Sequence, residues 1–183
     1  MLDALKKDFA RYSKKKGNLF LFFLKALQDC GFRAMVLYRL GHWCRQHHLG
    51  LLAGLCERLM RHLCLCWIGT RAQIGGGLKI AHGIGLVIGG GTIIGQNCDV
   101  RQNTTFGGNY SKTDAQGREL PVLGDNVSVG AGAVILGPVH VGDNAIIGAN
   151  AVVVDDVPAN MIVGGVPARV IKQRWDESSG RKY

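Results

Sequence analysis

Aliphatic residues recur at every sixth position between residues 123 and 158. Each block of six opens with one of them, and glycine follows the opener in most blocks; the openers are Leu123, Val129, Ile135, Val141, Ile147 and Val153. Neither the 3.6-residue period of an α-helix nor the two-residue period of a β-strand gives this spacing. A chain that forms a short strand and then a tight turn every six residues does. The pattern therefore predicts stacked coils of a parallel β-helix, with the openers pointing inward.

The same repeat predicts where this solenoid begins and where it is interrupted. Earlier blocks open at Ile68, Ile74, Ile80, Ile88, Ile94 and Val100. The solenoid therefore begins near Trp67, and its register slips by two residues beside His82. After Phe106 the repeat stops, and it resumes only at Leu123. We predict that the polar residues 109–121 protrude as a loop, and such loops often carry function.

A basic α-helical cap is predicted to precede the solenoid, over residues 1–66. Two or three helices are predicted in it, over about residues 18–30, 32–47 and 51–64, with breaks at Gly31 and Gly50. Residues 1–17 are polar and basic, and we assign no helix to them. A cap of this kind shields the open end of stacked repeats and can pack against other copies of the chain.

The chain is predicted to turn back along the solenoid after residues 67–163. In the C-terminal segment, residues 164–183, the turn falls at Val166-Pro167-Ala168-Arg169. Residues 170–175 are predicted to form a short terminal helix. The tail from Asp176 onward is predicted to be disordered.

Charge distinguishes the cap from the solenoid. The formal charge of the chain is +9, and residues 1–66 contribute +8 of it, with 12 Lys or Arg against 4 Asp or Glu; Lys14, Lys15 and Lys16 form the densest cluster. One interpretation is a cap that only covers the first coil. Another adds peripheral contact with an anionic membrane, to which each basic residue contributes about 1 kcal/mol. No recognition motif accompanies the charge, so nucleic acid is not predicted as a partner.

The six cysteines show no framework spacing, and no secretory signal precedes them. We therefore expect reduced thiols in a cytoplasmic protein. Cys64 and Cys66 have neither the spacing nor the partners of a zinc site, and no metal is predicted. The most apolar runs, 19–24 and 49–56, are shorter than the roughly 20 residues needed to cross a bilayer.

His82 is the solenoid histidine best placed for chemistry. It stands next to the register slip and precedes Gly83 and Gly85, whereas His140 occupies a turn position and is predicted to be a surface residue. A neutral imidazole can take a proton from an alcohol or an amine. The alternative is a structural histidine that bonds a neighbouring coil.

Small residues suggest where a ligand could lie. Gly107 and Gly108 could offer backbone N–H groups to a developing oxyanion, because glycine permits close approach. Ala131 and Ala149 stand one full coil apart, three blocks of the repeat, and would leave a smooth groove on one wall. Ordinary packing between repeats would also explain these alanines.

Residues 68–172 resemble the hexapeptide acyltransferase superfamily, specifically its serine acetyltransferase-like branch. The resemblance rests on IAHGIGLVIG from Ile80, TFGG from Thr105, VGAGAVILG from Val129 and GGVPARVI from Gly164. It implies a left-handed parallel β-helix, which together with the short N-terminal α-helical cap predicted above makes the fold mainly β. It also implies a homotrimer that binds acetyl-CoA in the groove between subunits.

The resemblance also implies roles for individual residues. His82 matches the catalytic base of the branch. The positions that match its cofactor-binding residues are Gly108, Ala131 and Ala149 along the pantetheine arm, and Arg169 and Lys172 near the nucleotide end.

Departures from the serine-specific members of the branch predict a different acceptor. Those enzymes have an aspartate directly before the catalytic histidine and another fifteen residues before it, where this chain has Ala81 and Trp67. They also have Arg-His before the proline that follows the loop, where this chain has Glu119 and Leu120. A glutamate at that position would repel a carboxylate.

The basic cap, with LYRLGHW at residues 37–43, resembles that of O-acetyltransferases of envelope and exopolysaccharides. We therefore predict transfer to a sugar hydroxyl of a surface polysaccharide precursor, in the cytoplasm or at the inner face of the membrane. Asn109, Asp114 and Glu119 of the loop are candidates for acceptor binding or for orienting His82.

Three alternatives stay open at this point. The first is L-serine O-acetylation in cysteine biosynthesis, and the second is a non-catalytic scaffold, since a fold does not imply a function. The third is a γ-type carbonic anhydrase, but it needs three zinc-binding histidines, which His82 and His140 cannot supply.

Overall fold

The computed structural model describes residues 1–13, 19–110, 112–176 and 181–182 of the chain. Four helices come first: α1 Leu2–Tyr12, α2 Leu19–Gln28, α3 Cys30–Gln46 and α4 Gly50–Cys64. The strands are β1 Trp67–Ile68, β2 Gln73–Ile74, β3 Lys79–Ala81, β4 Val87–Ile88, β5 Ile93–Ile94, β6 Asp99–Arg101, β7 Thr105–Gly107, β8 Val122–Leu123, β9 Ser128–Val129, β10 Val134–Leu136, β11 His140–Val141, β12 Ile146–Ile147, β13 Val152–Val153, β14 Met161–Gly164, β15 Arg169–Gln173, β16 Trp175–Asp176 and β17 Arg181–Lys182.

The short strands form three parallel walls, so the predicted parallel β-helix is confirmed. Wall A contains β1, β4, β7, β10 and β13; wall B contains β2, β5, β8 and β11; wall C contains β3, β6, β9, β12 and β14. The block openers point inward and are buried, from Ile68 in the first coil to Val153 in the fifth. Each coil alone would leave its aliphatic residues exposed, so the core exists only because the coils stack.

Both interruptions of the repeat appear where the sequence predicts them. Ile68 pairs with Ile88 rather than with Leu86, where an unbroken repeat would place its partner, and the extra residues lie in the turn that carries His82. Ile94 pairs with Leu123, because the residues of the predicted loop intervene.

The three predicted helices are present, with ends that shift by up to two residues. The predicted break at Gly31 is wrong, because Asp29 caps α3 by accepting a hydrogen bond from the N–H of Phe32 at 3.1 Å. Gly31 lies inside the helix and serves close packing instead. A Cβ there would clash with the carbonyl oxygen of Ile80 in the first coil.

Helix α1 was not predicted. It is held by tertiary contacts: the ring of Phe9 packs on Phe22 and Phe32, with centroids 5.5 and 5.4 Å away. The hydroxyl of Tyr12 accepts a hydrogen bond from the N–H of Ile80 at 2.6 Å. The cluster Lys14–Lys16 lies outside the described residues.

A buried ion pair joins the helices to the first coil. The carboxylate of Asp8 on α1 accepts a hydrogen bond from Nε of Arg39 on α3 at 2.8 Å, and both side chains are almost completely buried. Asp8 also accepts from the N–H groups of Gly77 and Leu78 at 2.7 and 3.1 Å. Arg39 donates to the carbonyl of Gly75 at 2.6 Å. The helices thus cover the open end of the solenoid and share its core.

The C-terminal segment turns back as predicted but not as a helix. Strand β15 runs antiparallel to β14 at the edge of wall C. The predicted helix at 170–175 is wrong because β14 leaves a free edge, and the β-branched Val170 and Ile171 suit a strand there. Strands β16 and β17 pair with each other, and residues 177–180 and 183 of the tail predicted to be disordered lie outside the described residues.

Candidate functional site

A groove of about 600 Å³ runs across the outer face of wall C. Its lining includes Lys79, Ala81, Asp99, Arg101, Ala131 and Ala149. They come from β3, β6 and the turns after β9 and β12, so successive coils build the groove in layers. This groove joins two of the predicted ligand-contacting residues, Ala131 and Ala149, to the residue that precedes His82.

His82 lies in the turn that leads from wall C to wall A. It is exposed, and its φ of 55° places it in the left-handed region, which the two-residue slip of the repeat accommodates. The carbonyl of His82 accepts a hydrogen bond from the N–H of Ile84 at 2.7 Å. Among the described residues, none donates to or accepts from its imidazole. The turn therefore sets the position of the ring without fixing its orientation.

Gly107 and Gly108 lie at the C-terminal end of β7 in wall A, where the chain enters the loop. The carbonyl of Gly107 accepts from the N–H of Gly137 at 2.9 Å, and Gly108 is exposed. His82 belongs to the first coil and lies in the turn before β4, near the opposite, N-terminal ends of the wall A strands. A single chain therefore does not bring the imidazole and these amides together.

The two alanines lie one above the other. The carbonyl of Ala131 accepts a hydrogen bond from the N–H of Asn150 at 2.8 Å. A Cβ at Gly130 would lie 2.5 Å from the backbone nitrogen of Ala149, so the coils touch at this point. The small side chains leave backbone accessible to a ligand along the groove.

Arg169 and Lys172 lie on β15, at the far edge of wall C from His82. Arg169 is exposed and pairs with Asp155 at 3.2 Å. Lys172 stands opposite Ile162 of β14. Five strand spacings separate β3 from β15 in the sheet, which is about 24 Å. The predicted base and the predicted nucleotide-binding residues thus mark opposite ends of wall C.

Asp114 organises the loop rather than facing the groove. Its Oδ1 accepts from the N–H groups of Gln116 and Arg118 at 2.9 and 2.8 Å, and its Oδ2 accepts from Nε of Arg118 at 2.6 Å. Partial desolvation raises the pKa of Asp114, but the hydrogen bonds and charge of Arg118 outweigh it and lower that pKa to about 2. Nε2 of His140 lies 3.6 Å from the same carboxylate.

The other two loop candidates show no contact with His82. The carbonyl of Asn109 accepts from the N–H of Lys112 at 3.1 Å, and Glu119 is exposed. Their proposed role, like that of Asp114, would need a second copy of the chain to supply the histidine. His140 is exposed, as predicted.

We expect Asp114→Asn to loosen the loop. The amides of Gln116 and Arg118 should exchange hydrogen about threefold to tenfold faster at neutral pH, the range for partly exposed charged hydrogen bonds. Since the folded-state pKa of about 2 lies below the ordinary 3.8, this stabilisation is complete above about pH 5 and is lost as the pH falls through about 2. Amide exchange and amide chemical shifts between pH 5 and pH 2 measure both effects. Asp155→Asn is the control, and equal exchange rates in Asp114→Asn and wild type would contradict the assignment.

Comparison with known proteins identifies the family. Residues 121–155 match the family model described as bacterial transferase hexapeptide (six repeats). The chain is 42% identical over 141 residues to serine acetyltransferase of Synechococcus elongatus, covering 77% of this chain and 57% of that protein. It is 38% identical over 150 residues to the enzyme of Mycobacterium tuberculosis, covering 82% and 64%.

Solved structures give the same result. The crystal structure of Neisseria gonorrhoeae serine acetyltransferase in complex with serine superposes with a TM-score of 0.81 at 30% identity, covering 93% of this chain and 68% of that one. The Brucella abortus enzyme in complex with coenzyme A superposes with a TM-score of 0.78 at 28% identity, covering 93% and 65%. The chain belongs to the serine acetyltransferase-like branch of the hexapeptide-repeat acyltransferases.

The chain spans between half and two thirds of the length of the curated serine acetyltransferases that it matches. What those proteins bind is therefore a guide to this chain's activity rather than a demonstration of it.

Sequence reasoning missed Arg101, which this acyltransferase chain places in the groove. In the sheet, Arg101 is the partner of Ala81, the residue directly before His82. The repeat itself could have revealed this, because one coil together with the register slip leads from position 81 to position 101. Lys79 was missed for the same reason.

The cysteines of this acyltransferase take no part in the groove. All six are free thiols, and all but Cys30 are buried. The hydrogen bond with Cys66 lowers the pKa of Cys64, and the nearby Arg33 lowers it further. Burial raises this pKa, but the net result is a value of about 6. Within the part of the chain that the structure describes, no group of three or more His, Cys, Asp or Glu is arranged to hold a metal ion.

Proposed function

We propose that this chain is an acetyl-CoA-dependent O-acetyltransferase that acts on L-serine. The observation that carries the proposal is the position of His82 directly after Ala81, which lines the wall C groove, in a chain whose relatives are serine acetyltransferases. The Neisseria relative binds serine and the Brucella relative binds coenzyme A. The sugar acceptor expected from Ala81, Glu119 and Leu120 gains no support from these comparisons.

In the proposed reaction, His82 takes the proton of the acceptor hydroxyl as its oxygen attacks the thioester carbonyl of acetyl-CoA. General-base help of this kind accelerates transfer about 10²- to 10⁴-fold. The tetrahedral oxyanion accepts hydrogen bonds from the amides of Gly107 and Gly108, each worth about 10²- to 10³-fold in rate. The carbon–sulfur bond then breaks, and the imidazolium returns its proton to the coenzyme A thiolate.

The cofactor would lie along wall C in this proposal. Its pantetheine arm would pass Ala131 and Ala149 of one copy and Gly108 of a neighbouring copy, and its nucleotide end would lie near Arg169 and Lys172. The order of strands across wall C supports this direction, because it separates the base from the two cationic residues. No resident metal or other cofactor takes part in the proposed reaction.

A homotrimer would complete the site. The outward residues of wall A include Trp67, Val87, Val134 and Val152, which are apolar and half-buried on four of its five coils, with Thr105 at the same position of the third coil. Apolar faces of this kind suit contact between copies. Such contact is also what would bring the amides at Gly107 and Gly108 of one copy to His82 of the next.

The predicted peripheral membrane contact and cytoplasmic location stay predictions. The helices that the structure describes include none long and apolar enough to cross a membrane.

An acetyl-transfer screen tests the proposal. We expect the purified chain to release coenzyme A thiol from acetyl-CoA with L-serine, one thiol for each acetyl group transferred. Nucleotide sugars and lipid-linked glycans are the comparison acceptors. Turnover of a glycan without turnover of serine would restore the sugar hypothesis, and no transfer to any acceptor would favour a scaffold.

A further inference from the structure

The residue beside the predicted base is small, and its neighbour in the sheet is cationic. Ala81 and Arg101 are partners in the pairing of β3 with β6, in adjacent strands about 4.8 Å apart. Ile80 and Val100, the residues directly before Ala81 and Arg101, point into the core. Because side chains alternate along a strand, Ala81 and Arg101 both face outward into the groove. The guanidinium of Arg101 can therefore extend over Ala81 toward His82.

The guanidinium of Arg101 has no ion-pair partner among the described residues. The acidic residue nearest in sequence, Asp99 on the same face of β6, is already paired with Arg11 of α1 at 2.7 Å. No hydrogen bond or ion pair joins the Arg101 side chain to any described residue. An aspartate at position 81, as in the serine-specific members, would stand next to Arg101 and pair with it, whereas Ala81 leaves the guanidinium available.

The position of Arg101 in the sheet also argues against a role in binding the nucleotide. Four strand spacings, about 19 Å, separate β6 from β15, which carries Arg169 and Lys172. In the proposed binding mode the phosphates lie at that far edge and the thioester lies near His82. An anionic group bound by Arg101 would therefore belong to the acceptor rather than to acetyl-CoA.

We propose that Arg101 binds the carboxylate of the acceptor and so makes this chain selective for a hydroxy amino acid over a neutral sugar. The inference rests on the proposed function and names the residue that would replace the Arg-His pair missing before Pro121. Arginine suits the task because its planar guanidinium can bond both oxygens of a carboxylate. The binding group comes from the same copy of the chain as His82.

Steady-state kinetics with L-serine and L-serinamide test the inference, because serinamide keeps the hydroxyl and the amine but lacks the carboxylate. We expect Arg101→Gln to raise the KM for L-serine at least about tenfold, the loss expected for a charge-assisted hydrogen bond. The KM for acetyl-CoA should change less than about twofold. Wild type should prefer serine over serinamide, Arg101→Gln should lose that preference, and Arg101→Lys should restore part of it.

Arg71→Gln is the matched control, because Arg71 is exposed in a turn outside the wall C groove. Thermal unfolding checks that each variant folds. An unchanged serine preference in Arg101→Gln would overturn the inference while leaving the proposed function standing. A raised KM for acetyl-CoA with an unchanged KM for serine would assign Arg101 to the cofactor. Failure of wild type to acetylate serine would refute both proposals.

Discussion

Replacing His82 with alanine should lower kcat for acetyl transfer at least about a hundredfold, the low end of general-base effects. Acetyl-CoA should still bind, because the predicted cofactor contacts lie along Ala131 and Ala149 and at the far edge of wall C. Stopped-flow or steady-state thiol release measures kcat, and a thermal shift with coenzyme A measures binding.

The control for this variant is His62→Ala, since His62 is an exposed histidine on α4, away from the groove. Its kcat should stay within about twofold of wild type. Near-normal turnover by His82→Ala would remove His82 from the mechanism. Loss of coenzyme A binding together with loss of turnover would show a structural effect instead.

The expected loss lies at the low end because nothing in the described part of the chain orients the imidazole. The serine-specific relatives have an aspartate where this chain has Ala81, and no described residue bonds the His82 ring. A ring that samples several orientations spends less time aligned with the acceptor hydroxyl. Within a trimer, the neighbouring copy's loop would be the source of any orienting contact.

The solenoid could be predicted from sequence because its repeat is a direct consequence of its geometry. Each opener must point into a narrow core, so residues such as Ile135 and Val153 recur at a fixed spacing that neither a helix nor a simple strand produces. The same rule places the register slip at His82 and the loop before Leu123. Ala131 and Ala149 follow from the length of one coil, which is three blocks of the repeat.

Helix α1 was missed although Leu2, Leu5, Phe9 and Tyr12 recur at helical spacing. The many charges between them make the segment resemble a solvated one, and its place on the solenoid depends on tertiary contacts. The decisive residue, Asp8, is completely buried, whereas a binary pattern assigns aspartate to the surface. Strand β15 was missed for a related reason, since only the free edge of β14 decides between helix and strand.

The candidate site was predicted only in part. His82 and the alanines of the groove could be found from the repeat and from resemblance. Arg101 was missed although the length of one coil plus the two-residue slip relates it to Ala81, because its own block of the repeat carries no motif that points to chemistry. A sugar acceptor was expected because Glu119 would repel a carboxylate, whereas the comparisons favour the serine alternative.

Replacing Asp8 with alanine should lower the free energy of unfolding by about 3–5 kcal/mol, the cost of breaking a buried ion pair by removing one partner. The change leaves the guanidinium of Arg39 buried without its carboxylate and leaves the N–H groups of Gly77 and Leu78 without their acceptor. Urea unfolding at one fixed protein concentration measures the change, because the stability of an oligomer depends on concentration.

Asp3→Ala is the matched control for this prediction, because Asp3 lies on the same helix in an exposed pair with Lys6 at 3.8 Å. Surface pairs of this kind contribute at most about 1 kcal/mol. The double variant Asp8→Leu/Arg39→Met should recover only part of the loss, since the carbonyl of Gly75 and the amide of Gly77 still lose their partners. A loss below about 1 kcal/mol for Asp8→Ala would mean that the aromatic contacts of Phe9, rather than the ion pair, hold α1 on the solenoid.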